Sequence, residues 1–216
     1  MKDLIIVGAG GLGREMLFQL REINKISPAY HILGFADDSR TGESIHGLPV
    51  FCDTASLSAR TADTAVVIAV GKPQARRHIF GRLQGNAHLS FPTVIAPGVV
   101  CSDSVQIGKG CIIGFGATLT VDIRLGDFVL VSNGCNIGHD AVLDDFATLY
   151  PGVHISGNVH AGAGCEIGVG SNIIQGLSIG ANAVLGAGCA VIRDIPADCT
   201  AVGVPAKVIR THVHPI

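Results

Sequence analysis

The sequence predicts two joined folds: a small α/β domain of βαβαβ order, then an all-β helix of short parallel strands. Three observations predict this. Up to about residue 90, strand-like apolar runs alternate with helix-spaced segments. From Ile95 to Val191 an unbroken six-residue aliphatic period follows. Bulky residues are scarce throughout: 48% of residues are hydrophobic, yet only 5% are aromatic, none is Trp and 29 are Gly, as a thin, regular stack requires. A chain of 216 residues has room for one large domain or two small ones. The change of texture places the expected division at 1–90 and 91–216.

In the first part, "DLIIVGAG" is a short apolar strand running into a glycine turn. "GREMLFQLREINK" has helical spacing, with Met16, Leu17, Leu20 and Ile23 on one side. "YHILGFADD" reads as a second strand ending in two acids, and "DTASLSAR" as a short helix opened by Asp53. "TAVVIAVG" is a buried strand, and "KPQARRHIFGRLQG" a helix with Pro73 near its start. This order implies a small parallel sheet with helices on its faces.

In the second part, every sixth residue from Ile95 is Ile, Leu or Val at fifteen of seventeen positions; the exceptions are Cys101 and Ala161. Four residues after each stands a small or β-branched residue, such as Cys111, Ala117, Cys135 or Val153, and glycine often follows the aliphatic. Helical burial needs spacings of 3 and 4, so the period implies a solenoid of flat strands and tight turns. The aliphatic points inward, the small residue lets the chain bend at a corner, and each coil shares its core with the next. Each fully buried Ile, Leu or Val contributes roughly 1.5–3 kcal/mol. Cys111, Cys135, Cys165 and Cys189 take the small position and Cys101 the aliphatic one, so all five are expected as core residues.

Several classes are disfavoured. A net charge of −2 offers no basic surface for nucleic acid or anionic membranes. No apolar run approaches the roughly 20 residues of a membrane span. Asp3 precedes the N-terminal apolar run, and the glycines after it read as a βα turn rather than a signal peptide. Seven cysteines, an odd number without a paired motif, suit a reducing cytoplasm.

His139-Asp140 interrupts the repeat. His139 lies two residues past the inward Ile137, so its side chain should leave the wall. Histidine, with a reference pKa near ~6.5, suits general-base work at neutral pH, and a neighbouring carboxylate can hold its ring. A solvent-facing turn histidine fits the same spacing. His139, His154 and His160 stand 15 and 6 residues apart, and neither helical nor Cys-pair zinc spacing occurs, so no metal is expected. Gly8-x-Gly10-x-x-Gly13, after a strand and before a helix, fits the dinucleotide fingerprint, with Asp37 and Asp38 where an acid would meet a ribose. Alone this says NAD, although about 90 residues leave no room for a second mononucleotide-binding half. A glycine turn needed only for tight strand–helix packing would look the same.

The repeat "[LIV]-G-x-x-small-x", together with the tail "AVGVPAKVIR" (residues 201–210), resembles the left-handed parallel β-helix acyltransferases. A GAGG-opened α/β domain in front narrows the resemblance to the sialic acid O-acetyltransferase family, which includes N-acetyltransferases of nucleotide-linked 4-amino sugars. It covers essentially the whole chain. It implies a left-handed β-helix behind a Rossmann-like domain, acetyl-CoA as cosubstrate, and direct attack without an acyl-enzyme. It also implies a cytoplasmic homotrimer with acetyl-CoA between neighbouring β-helices; no insertion loop between Ile95 and Val191 could close a site within one chain.

Residue by residue, the resemblance makes His139 the base, with Asp140 beside it. It gives Gly157 a backbone N–H facing the acetyl carbonyl. Val169, Ala187, Pro205 and Lys207 would line the pantetheine channel, with Lys207 toward a CoA phosphate. Gly11, Leu12, Gly13, Asp37, Asp38 and Gly71 would hold the nucleotide of the sugar. Two departures stand out. Thr148 replaces a second family histidine that contacts acetyl-CoA, and Leu12 replaces the histidine of Gly-His-Gly. The expected reaction is therefore N-acetylation of a nucleotide-linked amino sugar. The alternatives are O-acetylation of a sialic acid or related sugar, and a regulatory nucleotide-binding module whose β-helix is only structural.

Overall fold

The computed structural model describes residues 1–212. It divides into two compact units, Met1–Pro97 and Gly98–Ile216.

The first unit runs β1 (Lys2–Val7), α1 (Gly11–Ile26), β2 (Tyr30–Ala36), β3 (Ser44–Ile45), β4 (Leu48–Cys52), α2 (Thr54–Ser58), β5 (Thr64–Ile68), α3 (Pro73–Leu83) and β6 (Leu89–Ser90). Its sheet has the order β3-β4-β2-β1-β5-β6 and is parallel except for the β3–β4 pair. Leu4, Ile5, Ile6 and Val7 are all buried, as a central parallel strand covered on both faces requires. α1 buries Met16, Leu17 and Leu20. Its close approach to β1 depends on Gly13, where a Cβ would lie 1.9 Å from the Gly8 carbonyl oxygen. Asp53 caps α2 by accepting the Ser56 N–H at 2.7 Å. The β3–β4 hairpin is an addition to the sequence reading. His46 (φ 47°) and Gly47 (φ 83°) form its two-residue turn, which needs positive φ at both centres.

The second unit is the expected left-handed parallel β-helix. Two-residue strands pair in parallel at a constant offset of eighteen residues: Asn136 with His154, Leu130 with Thr148, Val142 with His160. Each coil therefore has three strands and three corners, and the strands stack into three sheets. The aliphatics fill the interior: Ile113, Val131, Ile137, Leu143 and Leu149 are buried. An antiparallel pair, Cys199–Val202 with Lys207–Thr211, closes the C-terminal end.

Two local expectations need correction. Cys101 is exposed, not a core residue, because its strand lies in the lowest coils, where the stack covers one side only. The corners are also made differently. The small residues sit inside them, fully buried at Cys111, Cys135 and Cys165. The bend itself is made by the preceding residue. Every sixth residue from Gly110 to Gly188 has φ between 54° and 77°. Most are Gly, Asp or Asn, which tolerate this left-handed region, but Phe128 and Phe146 occupy it too. Their rings stack on each other at 5.2 Å and are buried, so packing outweighs the backbone preference.

Candidate active site

The eighteen-residue register converts sequence spacing into vertical columns. His139, Gly157 and Gln175 occupy one corner of three successive coils, each two residues beyond its strand. Asp140 is the left-handed residue of its corner, with φ 58°, and this conformation turns its carboxylate back toward the ring. The His139 Nδ1–H donates to Asp140 Oδ2 at 2.8 Å. The imidazole is thereby held in the tautomer whose lone pair lies on Nε2, and that atom has no hydrogen bond among the described residues.

Gly157 explains where the ring sits. A Cβ there would lie 2.4 Å from both Nε2 and Cε1 of His139. The imidazole thus occupies the space that any other residue's side chain would fill. The Gly157 N–H donates to no described group, although its carbonyl accepts the Gly176 N–H at 3.0 Å. At three other corners the matching N–H is taken by an acid or amide one coil higher: Lys109 N–H by Asp127, Phe115 N–H by Asn133 and Asp127 N–H by Asp145. A free lone pair and a free N–H therefore stand together at one exposed corner, which suits proton removal beside a developing oxyanion.

The other described histidines of this unit differ. His154 Nδ1 accepts from the Asn136 amide at 3.0 Å, which leaves a proton on Nε2. His160 uses Nε2 itself against Asp144 at 2.9 Å, and His212 Nε2 meets Thr200 Oγ1 at 2.8 Å. The interior cysteines are poor nucleophiles: burial pushes the Cys135 thiol up to about 11 and the Cys165 thiol up to about 12.

In the first unit, α1 starts at Gly11 with no side-chain cap and no acid in its first turn. The N–H groups of Gly11, Leu12 and Gly13 therefore face outward at a helix start, where an anion is favoured. Beside it lies a pocket of about 190 Å³ with Gly8, Asp37, Asp38 and Thr54 in its wall.

The sequence of residues 3–83 matches the family model described as the PglD N-terminal domain. The acetyltransferase domain of PglB from Neisseria gonorrhoeae is 30% identical over 97% of this chain and 100% of that one, with a TM-score of 0.88. The chain belongs to the NeuD/PglD-like family of hexapeptide-repeat acyltransferases. WeeI from Acinetobacter baumannii is similar too, at 28% identity, 97% and 100% coverage and a TM-score of 0.88. So is a histidine-to-asparagine variant of perosamine N-acetyltransferase from Caulobacter crescentus in complex with CoA and GDP-perosamine (28% identity, 96% and 97% coverage, TM-score 0.87). No curated protein matches the sequence.

For this acetyltransferase chain, the remaining site residues fall into distinct places. Val169 and Ala187 are exposed and stack one above the other, but on a different corner from His139. Pro205 and Lys207 line a pocket of about 310 Å³ at the C-terminal end, with Ile192, Arg193 and Ala206. Thr148 is fully buried, so within this chain it offers no surface to a cofactor. Its strand position turns it into a covered face, whereas the base stands at an open corner.

The two aspartates are less free than their position suggested. Asp37 accepts from Ala9 N–H at 2.8 Å and from the N–H and Oγ of Ser39 at 2.9 and 2.8 Å. Asp38 accepts from Thr54 N–H and Oγ1, both at 2.7 Å, and meets Arg82 at 3.1 Å. Both fasten the glycine loop and its neighbours, so removing them would loosen the site as well as its contacts. Gly71 likewise presents its carbonyl inward, to the buried Arg76 at 2.8 Å. Arg76 was absent from the sequence reading, which offered no signal that this helix arginine turns back to bind loop carbonyls.

Two expectations follow. Gly157→Ala should lower kcat by about 10²-fold through displacement of the imidazole, while the melting temperature changes little because this corner needs no positive φ. Unchanged turnover would show that the ring position is irrelevant. Asp37→Ala should destabilise the first unit by about 1–3 kcal/mol in urea unfolding. Although burial works against it, the donors from Ala9 and Ser39 and the Arg40 charge together hold the Asp37 carboxyl below its ordinary range. Its contribution is therefore present above the unfolded value of about 3.9 and fades as pH falls through the folded one. Wild type should lose more stability than the variant on acidification from about pH 5 to 3. Equal losses would remove Asp37 from the account.

Proposed function

We propose that this protein transfers the acetyl group of acetyl-CoA to the amine of a nucleotide-linked amino sugar, with His139 as general base. The observation that carries the reading is the pairing of His139 Nε2, unbonded and aimed by Asp140, with the unbonded N–H of Gly157 one coil above. The Caulobacter relative, an N-acetyltransferase in complex with CoA and GDP-perosamine, supports the substrate class.

The neutral amine attacks the thioester carbonyl carbon, and a C–N bond forms while the carbonyl electrons move to oxygen. Gly157 N–H donates to that oxyanion. His139 Nε2 takes the proton released by the nitrogen, and Asp140 stabilises the resulting imidazolium. The oxyanion then collapses, the C–S bond breaks, and the CoA thiolate recovers the proton from His139. The products are the acetamido sugar and CoA. No acyl-enzyme is required, consistent with the raised interior thiols.

The sugar's diphosphate would sit on the N–H groups of Gly11 to Gly13, and Asp37 Oδ2, which holds a single donor, keeps a lone pair for a ribose or base donor. Val169 and Ala187 would contribute to the pantetheine channel from a neighbouring chain, since they lie on another corner from the base. That separation supports a homotrimer with each site shared between two subunits.

His139→Ala should reduce kcat by about 10²–10⁴-fold, with the fold and CoA affinity retained. The assay is CoA release and mass detection of the acetamide product from a panel of UDP- and GDP-linked amino sugars. A variant keeping more than about a third of wild-type turnover would remove His139 as base. A fully active monomer in sedimentation would overturn the shared site.

A further inference from the structure

The strand order of the first unit reverses between β1 and β5. From β1 the chain moves on to β2 and β4 on one side of the sheet, and from β5 to β6 on the other. A crevice opens outside the carboxyl ends of two parallel strands whose connections diverge in this way. The glycine turn after β1 forms one lip of it. Residues 69–72, between β5 and α3, form the other. The two lips touch at Gly8, where a Cβ would lie 2.8 Å from the Ala69 carbonyl oxygen and 3.0 Å from Val70 Cγ2.

The second lip is shaped from inside by one side chain. Arg76 is 1% exposed and sits one turn into α3, where its backbone N–H donates to the Lys72 carbonyl at 3.0 Å. Helical side chains lean toward the helix N-terminus, so its guanidinium turns back under the loop. A single nitrogen, Nη1, donates to the carbonyls of both Val70 and Gly71, each at 2.8 Å. In an extended strand successive carbonyls point to opposite sides, so two that turn to one nitrogen mark a departure from strand geometry. A trans amide carries its N–H opposite its carbonyl. The N–H groups of Gly71 and Lys72 therefore both face away from the buried guanidinium. The Lys72 N–H donates to no described group, and α3 begins with neither a side-chain cap nor an acid in its first turn. Successive N–H groups turned one way make a concavity for anionic oxygen.

We propose that Arg76 is a positioning residue for the sugar nucleotide. It touches no ligand itself; it fixes the two peptide planes whose N–H groups form the second lip. The glycine turn then supplies backbone donors from one side of the crevice, and Gly71 and Lys72 supply them from the other. This role rests on the nucleotide-sugar reading above.

Calorimetry on the full-length protein tests it, with UDP and GDP as separate probes and CoA as the control. Wild type should bind at least one of the two nucleotides. R76M keeps the stem and removes the donors, so it should weaken that binding about tenfold and leave CoA affinity unchanged; R76K, which restores a donor, should recover part of the loss. A second pair of variants probes the same N–H groups without touching the interior. Lys72 has φ −68° and ψ 124°, which proline adopts without strain, so K72P differs from K72A mainly by the lost N–H. K72P should bind the nucleotide about tenfold more weakly than K72A. If R76M melts lower yet binds nucleotide as wild type does, or if K72P matches K72A, the positioning role is overturned and the nucleotide-sugar reading stands. If R76M does not fold, the comparison of K72P with K72A decides. A wild type that binds CoA but neither UDP nor GDP overturns both.

Discussion

Backbone hydrogen bonds between coils, such as Asn158 N–H to the His139 carbonyl at 2.8 Å and Gly138 N–H to the Ile155 carbonyl at 2.8 Å, set residue i against residue i+18. No side chain takes part in them. A stack of main-chain bonds cannot slip by one residue without turning every inward aliphatic to the outside, so the core and the register enforce each other. Everything at the corner follows from this. His139 meets Gly157 because eighteen residues separate them, and the imidazole finds space because the residue above has no side chain. Asp140 reaches the ring because a left-handed residue must stand there to turn the chain.

The result is a rigid wall that carries chemistry at its edges. The interior is aliphatic and closed, and its thiols are made inert by burial. The corners hold the polar backbone groups that neighbouring coils leave unused. At three corners an acid or amide one coil higher takes up such a group, as Asp127 does for Lys109. At Gly157 no such group intervenes, and the cost is small, because one exposed N–H can be satisfied by water until a ligand replaces it.

How far the sequence was legible follows from the range of each interaction. The solenoid was readable because its core repeats every six residues, and the α/β order because strands and helices have different periods. The His139-Asp140 pair was readable because the partners are adjacent. Its position against Gly157 was available only through resemblance, since three faces and two further corners lie between them in sequence. Asp37 and Asp38 were placed near the glycine loop but not as its fasteners, because their donors come from Ala9, Thr54 and Arg82, between 16 and 44 residues away. The burial of Thr148 was not legible either, because a residue's place in the six-residue period does not say which face of the coil is covered. Phe128 and Phe146 went unremarked as corner residues because aromatic side chains ordinarily avoid positive φ.

The three-sided coil also limits how the gene can change length. Six residues added or removed within the solenoid would preserve the aliphatic period and hence the core, yet would rotate everything downstream by one face. Residues above and below such an edit would no longer share a corner, although the protein would still fold. Only whole coils of eighteen keep the edges aligned, and even those move the upper part of the wall up or down by one strand spacing. Insertions tolerated by stability and insertions tolerated by activity should therefore follow different arithmetic, with multiples of six for the first and a far narrower set for the second.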